Sequence, residues 1–130
     1  MTFIPPITDA EWRIMQALWA RTPQTAQDLV ATLADERDWS PSTVKTLLAR
    51  LVTKQAVGFT RQGREHHYHP LLSETACRRD QSRSFLQRVF GGALEPMVAT
   101  LLDDGPVDPG ELDALRRLLD EKARAIRTRR

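Results

Sequence analysis

Apolar residues recur along this chain at helical spacing, switch briefly to alternation in the middle, and return to helical spacing to the end. Near the N-terminus Trp12, Met15, Leu18 and Trp19, with Ile14 beside them, mark one face of a helix through about Ala20. Thr8 and Glu11 have capping-box spacing at its start, Ile7 and Trp12 are placed as a hydrophobic staple, and Pro5 and Pro6 disfavour an earlier beginning. Arg21-Thr22-Pro23 breaks it. A second helix is predicted from about Thr25, with Asp28 in its first turn and Ala26, Leu29, Val30, Leu33 and Ala34 as its buried face. Asp35–Trp39 connects it to a third helix, for which Ser40 is the N-cap and Pro41 the first residue. Val44, Leu47, Leu48 and Leu51 share the apolar face of that helix, which is expected to end near Lys54-Gln55-Ala56. Val57–Arg61 and Glu65–His69 then read as two short strands around Gln62-Gly63-Arg64, where Gly63 supplies a positive φ.

From Ser73 onward only helices are predicted. Phe85, Leu86, Val89 and Phe90 crowd one side of a helix that stops near Gly91-Gly92. Leu94, Met97, Val98, Leu101 and Leu102 repeat at helical spacing, with Pro96 tolerated in the first turn, before Asp103-Asp104-Gly105-Pro106. The last helix starts at Asp108 and Pro109, carries Leu112, Leu115, Leu118, Leu119 and Ile126 as its stripe, and ends in the basic Arg127–Arg130. Three helices followed by a hairpin make a winged helix-turn-helix over residues 1–72, and 73–130 make a helical dimerisation domain; the fold class is mainly α. The dimer is expected because fully burying a Leu, Phe or Met is worth ~1.5–3 kcal/mol, and these helices carry more apolar surface than they can bury among themselves. Phe85, Leu86, Val89, Phe90, Leu94, Met97, Val98, Leu101, Leu112, Leu115 and Leu119 are the residues assigned to it. Packing back onto the N-terminal domain is the competing arrangement.

Charge sharpens this picture only through its distribution. At 130 residues, 41% hydrophobic and formally +2, the chain is neither disordered nor strongly basic. Yet residues 25–40 hold Asp28, Asp35, Glu36 and Asp38 against Arg37, while 41–69 hold Lys45, Arg50, Lys54, Arg61 and Arg64 against Glu65. A local basic patch of that kind attracts phosphates. Ser42, Thr43, Lys45, Thr46 and Arg50 lie largely opposite the apolar face of the third helix, a composition suited to a DNA major groove. Lys45 and Thr46 are expected to reach base edges; Ser40, Ser42, Thr43 and Arg50 are expected to position phosphates. Arg61 and Arg64 flank the hairpin tip, with Lys54 a weaker candidate.

Other chemistry is excluded or bland. Cys77 is the only cysteine, so there is no intrachain disulfide or multi-cysteine zinc site. On a strand His67 and His69 share a face and His66 points away, so the three do not converge on a metal. Trp12, Trp19 and Trp39 read as core and interface aromatics. No Gly-rich phosphate loop, His-Glu-x-x-His or nucleophile with a base is present, so neither an enzyme nor a cofactor is expected. No apolar run approaches ~20 residues and no signal peptide is visible, so membrane insertion is not expected and a cytoplasmic location is. A winged-helix protein-interaction module, the alternative class, calls for apolar or acidic residues where Lys45, Thr46 and Arg50 stand.

The chain resembles the BlaI/MecI/CopY family of bacterial transcriptional repressors. The resemblance rests on Ile7-Thr8-Asp9-Ala10-Glu11-Trp12, Leu18-Trp19, the segment Trp39–Leu51, Gly63-Arg64 with Tyr68-His69-Pro70, and Phe85–Gly92. It implies a homodimeric repressor on a double-stranded inverted-repeat operator. In the branch answering β-lactams it further implies a membrane sensor-protease system as partner and cleavage in the dimerisation segment. Counted from Phe85, the family's Asn–Phe scissile bond falls on Thr100–Leu101, and neither residue matches. The copper-responsive branch uses a C-terminal Cys-x-Cys-x4-Cys-x-Cys motif that is absent here. A same-family repressor answering another signal, such as a metal or envelope stress, is therefore the alternative.

Overall fold

The structure, a computed structural model, describes residues 3–129; the basic end predicted at Arg127–Arg130 is described as far as Arg129. Its elements are α1 (Asp9–Ala20), α2 (Ala26–Leu33), α3 (Pro41–Thr53), β1 (Val57–Gln62), β2 (Glu65–Pro70), α4 (Glu74–Phe90), α5 (Leu94–Asp103) and α6 (Pro109–Thr128). The chain folds as two compact units that divide between Arg83 and Ser84, inside α4. That lies beyond the 72/73 boundary expected from sequence, because the first turns of α4 pack with the N-terminal unit, where Cys77 is fully buried.

Unit one is a winged helix-turn-helix. Thr8 and Glu11 form the capping box: the Glu11 N–H donates to Thr8 Oγ1 at 3.2 Å and the Thr8 N–H to Glu11 Oε1 at 2.9 Å. Thr25 and Asp28 make a second one at the start of α2. Ile14, Met15, Leu18, Leu29, Leu33, Val44, Leu48 and Leu51 form one dry core, joined by Val57 from the first strand. Trp12 and Trp19 meet edge-to-face at the margin, and the Trp19 indole N–H donates to the Leu72 carbonyl at 2.9 Å. Trp39 lies under the Arg37 guanidinium. Ala34, expected on the buried face of α2, is exposed, because the helix ends at Leu33 and the turn carries the next residue outward.

Two features were not visible in the pattern. The antiparallel hairpin runs in register from Val57↔Pro70 to Gln62↔Glu65, so its turn is the two residues Gly63-Arg64, tighter than the three expected. Gly63 has φ +63°, the left-handed conformation that such a turn requires. Gln24, a polar residue in the α1–α2 connection, is fully buried and pairs with Tyr68 of β2: the Gln24 N–H donates to the Tyr68 carbonyl at 3.0 Å and the Tyr68 N–H to the Gln24 carbonyl at 2.8 Å. Its side-chain amide donates to the carbonyls of Ala17 (2.9 Å) and Arg21 (2.6 Å). Gln24 thus ties the wing to the helical core.

Unit two holds the rest of α4 with α5 and α6. Phe85 and Phe90 pack at 6.0 Å between ring centroids. No residue of α5 or α6 is buried, and Leu94, Leu101, Leu118 and Leu119 are each at least 60% exposed. No described helix is long and apolar enough to cross a membrane.

Candidate nucleic-acid interface

The exposed face of α3 follows from its buried one. With Val44, Leu47, Leu48 and Leu51 turned into the core, a 3.6-residue repeat places Ser42, Thr46, Ala49 and Thr53 directly outward. Lys45 falls on one flank of that face, Thr43 and Arg50 on the other. The helix carries no carboxylate. Ser40 caps it, accepting from the Thr43 N–H at 3.1 Å, and its hydroxyl lies 3.1 Å from the Thr43 hydroxyl. The Thr46 hydroxyl donates to the Ser42 carbonyl at 3.0 Å, which leaves its lone pairs and its methyl group facing solvent. Among the described residues Lys45, Arg50, Arg61 and Arg64 make no salt bridge, so their charges are available.

Lys54 is a different case. Its ammonium lies 2.5 Å from Glu11 Oε1 and donates to the Pro6 carbonyl at 2.8 Å. Glu11 is fully buried, and among the described residues its second oxygen has no hydrogen-bond partner. Burial pushes the Glu11 carboxyl up; the hydrogen bonds from Lys54 and Thr8 and the ammonium charge outweigh it and hold the group below its usual range. Lys54 therefore neutralises a buried carboxylate, a structural role that its sequence position did not signal.

Beside α3 the wing and the start of α2 enclose a cleft of about 390 Å³ lined by Thr25, Ala26, Gln27, Lys45, Arg64, Glu65, His66 and Tyr68. His66 stacks on Phe59 at 4.3 Å with the rings 14° from parallel. Burial pushes the Tyr68 phenol up, which keeps it a hydrogen-bond donor. Arg64 at the wing tip is a candidate from sequence; Thr25, Gln27 and Tyr68 carry no sequence signal for DNA contact, and His66 reads from sequence as wing surface. They meet only because Gln24 pairs with Tyr68, a contact between residues 44 positions apart with no local signature. Arg61 lies across the ladder from His66 on β1.

A family model described as the penicillinase repressor matches residues 7–121. The penicillinase repressor of Bacillus licheniformis is 32% identical over 121 residues, 93% of this chain and 94% of that protein. The methicillin resistance regulatory protein MecI of Mammaliicoccus sciuri is 27% identical over 116 residues, 89% and 94% of the two chains. Among solved structures, the DNA-binding domain of the repressor BlaI is 33% identical and superposes with a TM-score of 0.52 over 58% of this chain and 92% of that one. The Bacillus licheniformis BlaI monomer in complex with the blaP half-operator superposes over the same shares at 33% identity, with a TM-score of 0.50.

Proposed function

The chain belongs to the penicillinase repressor family, and from that premise we propose that it is a homodimeric transcriptional repressor binding an inverted-repeat operator in the major groove through α3. The observation that carries this reading is the solvent face of α3, with Thr46 and Ser42 directly outward, cations on both flanks and no carboxylate. Thr46 reads base edges, its methyl group suited to contact with a thymine methyl. Arg50, Ser40 and Thr43 position phosphates on one flank, and Arg61 extends the basic surface along the wing. Lys45, on the flank toward α2 and the wing, is the second candidate to reach base edges.

A second copy is supported by unit two. Exposed leucines on α5 and α6 leave an apolar surface whose burial is worth ~1.5–3 kcal/mol for each side chain fully covered. Two copies related by a two-fold axis match an inverted repeat.

The relatives, named a penicillinase repressor and a methicillin resistance regulatory protein, support control of a β-lactam-responsive resistance regulon; a membrane sensor-protease system leading to cleavage in the dimerisation segment is what the family resemblance implies for its release. Thr100–Leu101 is the bond that fits the family register. It lies inside α5, a ten-residue helix without a capping side chain, which must unwind to enter a protease. Because the pair is helical and differs from Asn–Phe, release by another signal remains the second reading. Mass spectrometry of the repressor from β-lactam-treated cells separates them: cleaved chain supports proteolytic release, and intact chain during derepression refutes it.

For the DNA-binding role, duplexes selected in vitro for the full chain are titrated beside random duplexes. Thr46→Ala is expected to lose part of the discrimination between them, less than the ~1–3 kcal/mol of a bidentate base contact. Arg50→Ala is expected to weaken both and flatten the salt dependence. Absence of selective binding by the unaltered chain would refute the role.

A further inference from the structure

We propose that α6 lies antiparallel against α6 of a second copy, with the acidic approach to the helix in each chain facing the basic end of the other. The proposal rests on the dimer reading above and adds to it the helix that pairs, its direction and what sets that direction. Residues 103–113 hold Asp103, Asp104, Asp108, Glu111 and Asp113 and no cation, whereas residues 122–130 hold Lys122, Arg124, Arg127, Arg129 and Arg130 and no carboxylate. Between them, residues 114–121 balance Arg116 and Arg117 against Asp120 and Glu121. One helix and its lead-in thus run from five negative charges through neutrality to five positive ones.

The single chain leaves these charges largely unmatched. Among the described residues, Asp113 with Arg116 at 3.5 Å is the one ion pair that involves either block. The blocks are out of each other's reach: Asp113 and Lys122 stand ~14 Å apart along the helix, beyond the ~8–10 Å screening length of physiological salt. The helix dipole accounts for only part of the pattern. It favours Glu111 in the first turn of α6 and Arg127 in the last, but it fades within a turn and does not extend to Lys122. Asp103 is the last residue of α5 and Asp104 its C-cap, where that helix's dipole disfavours a carboxylate.

Leu112, Leu115, Leu119, Lys122 and Ile126 are spaced by three and four residues in turn, the seam of a coiled coil. None of them is buried in the single chain, and Leu119 and Ile126 are more than half exposed. A parallel pair would set Lys122 against Lys122 of the partner subunit and each charged block against its like. An antiparallel pair centred on Leu119, the middle seam position, brings Leu112 level with Ile126 of the partner subunit and Glu111 level with Arg127 of the partner subunit. A two-fold axis through that centre makes each match twice. The other helices of the unit complement one end only: α5 offers Glu95 and Asp103 without a cation, and the part of α4 after Arg83 offers Arg88 alone. A second α6 complements both.

The test is sedimentation equilibrium of the full chain at low and high salt. The unaltered dimer is expected to weaken as salt rises. Glu111→Lys with Asp113→Lys, and separately Arg124→Glu with Arg127→Glu, are each expected to weaken self-association ~10-fold or more at low salt. An equimolar mixture of the two variants is expected to recover it as a heterodimer, which also shows that both are folded. Variants that dimerise as tightly as the unaltered chain, or that stay apart when mixed, overturn the charge match. Direction is read separately, from the distance between spin labels at Thr128→Cys in a Cys77→Ala background. The antiparallel pair is expected to hold them ~27 Å apart along the axis. Labels side by side, within ~10–20 Å, overturn that direction. An unaltered chain that stays monomeric at every concentration refutes the dimer reading itself, an outcome distinct from either of these.

Discussion

Replacing Lys54 by methionine separates the structural and DNA-binding roles that a lysine at the end of a recognition helix can have. The change keeps most of the stem and removes the ammonium that lies 2.5 Å from Glu11 Oε1. Breaking a fully buried ion pair costs ~3–5 kcal/mol, and an exposed pair is worth ~0–1. Here the carboxylate is fully buried and the lysine side chain is 27% exposed, so a loss of ~2–3 kcal/mol at neutral pH is expected. Against a total of ~5–15 kcal/mol the domain stays folded at room temperature but melts ~10 °C or more lower. The pH dependence has a definite sign. In the unaltered chain the Glu11 carboxyl is held below its usual range, so its contribution is complete above the unfolded-state pKa and is lost as pH falls through the folded-state value. Without Lys54, burial is opposed only by the hydrogen bonds from Thr8, so the carboxyl titrates higher than in the unaltered chain. The deficit of the variant is then largest at neutral pH and narrows as acid protonates the group. Adding Glu11→Gln to Lys54→Met is expected to recover part of the loss. Trp12, Trp19 and Trp39 all lie in the N-terminal unit, so tryptophan fluorescence during urea unfolding reports on that unit. Unchanged stability, together with weaker DNA binding and a shallower salt slope, would refute the structural role and return Lys54 to the DNA.

Gln24→Ala strips hydrogen bonds from the buried carbonyl of Ala17 and the part-buried carbonyl of Arg21 and leaves a cavity; a loss of ~2–4 kcal/mol is expected by urea unfolding, and a loss under ~0.5 contradicts the tie between wing and core. Gln55 closes α3 at φ +63°, with the Ala56 N–H donating to the Leu51 carbonyl at 2.9 Å, so Gln55→Gly is expected to stabilise by ~0.5–1 kcal/mol in thermal melts. Leu101→Asp with Leu119→Asp places charge on the exposed apolar faces of α5 and α6 and is expected to shift sedimentation from dimer to monomer without altering the N-terminal unit's melting. A dimer of undiminished stability would move the subunit contact elsewhere.

Most of the fold was legible because its signals are local. Thr8 with Glu11, and Ser40 with Pro41, announce helix starts that the structure keeps, and the apolar spacing of Val44 to Leu51 fixes which way α3 faces. What escaped was tertiary. Glu11 looks like half of a capping box and is one, yet its partner Lys54 lies 43 residues away, and no periodicity signals that pair. Gln24 reads as an ordinary polar connector residue until β2 returns beside it. Lys45 stands on the same helix as Thr46, one residue before it. Its flank position follows from the helical repeat, but the neighbours that turn that flank into a cleft arrive only with the wing and α2. In unit two the apolar stripes were visible and stay exposed in the single chain.

The most direct test of the central claim is nuclease footprinting of the full chain on the DNA upstream of its own gene. Protection of an inverted repeat whose half-sites lie on one face of the duplex is expected, lost in Thr46→Ala with Arg50→Ala. Uniform, sequence-independent protection, or none at concentrations where the chain is dimeric, would contradict it.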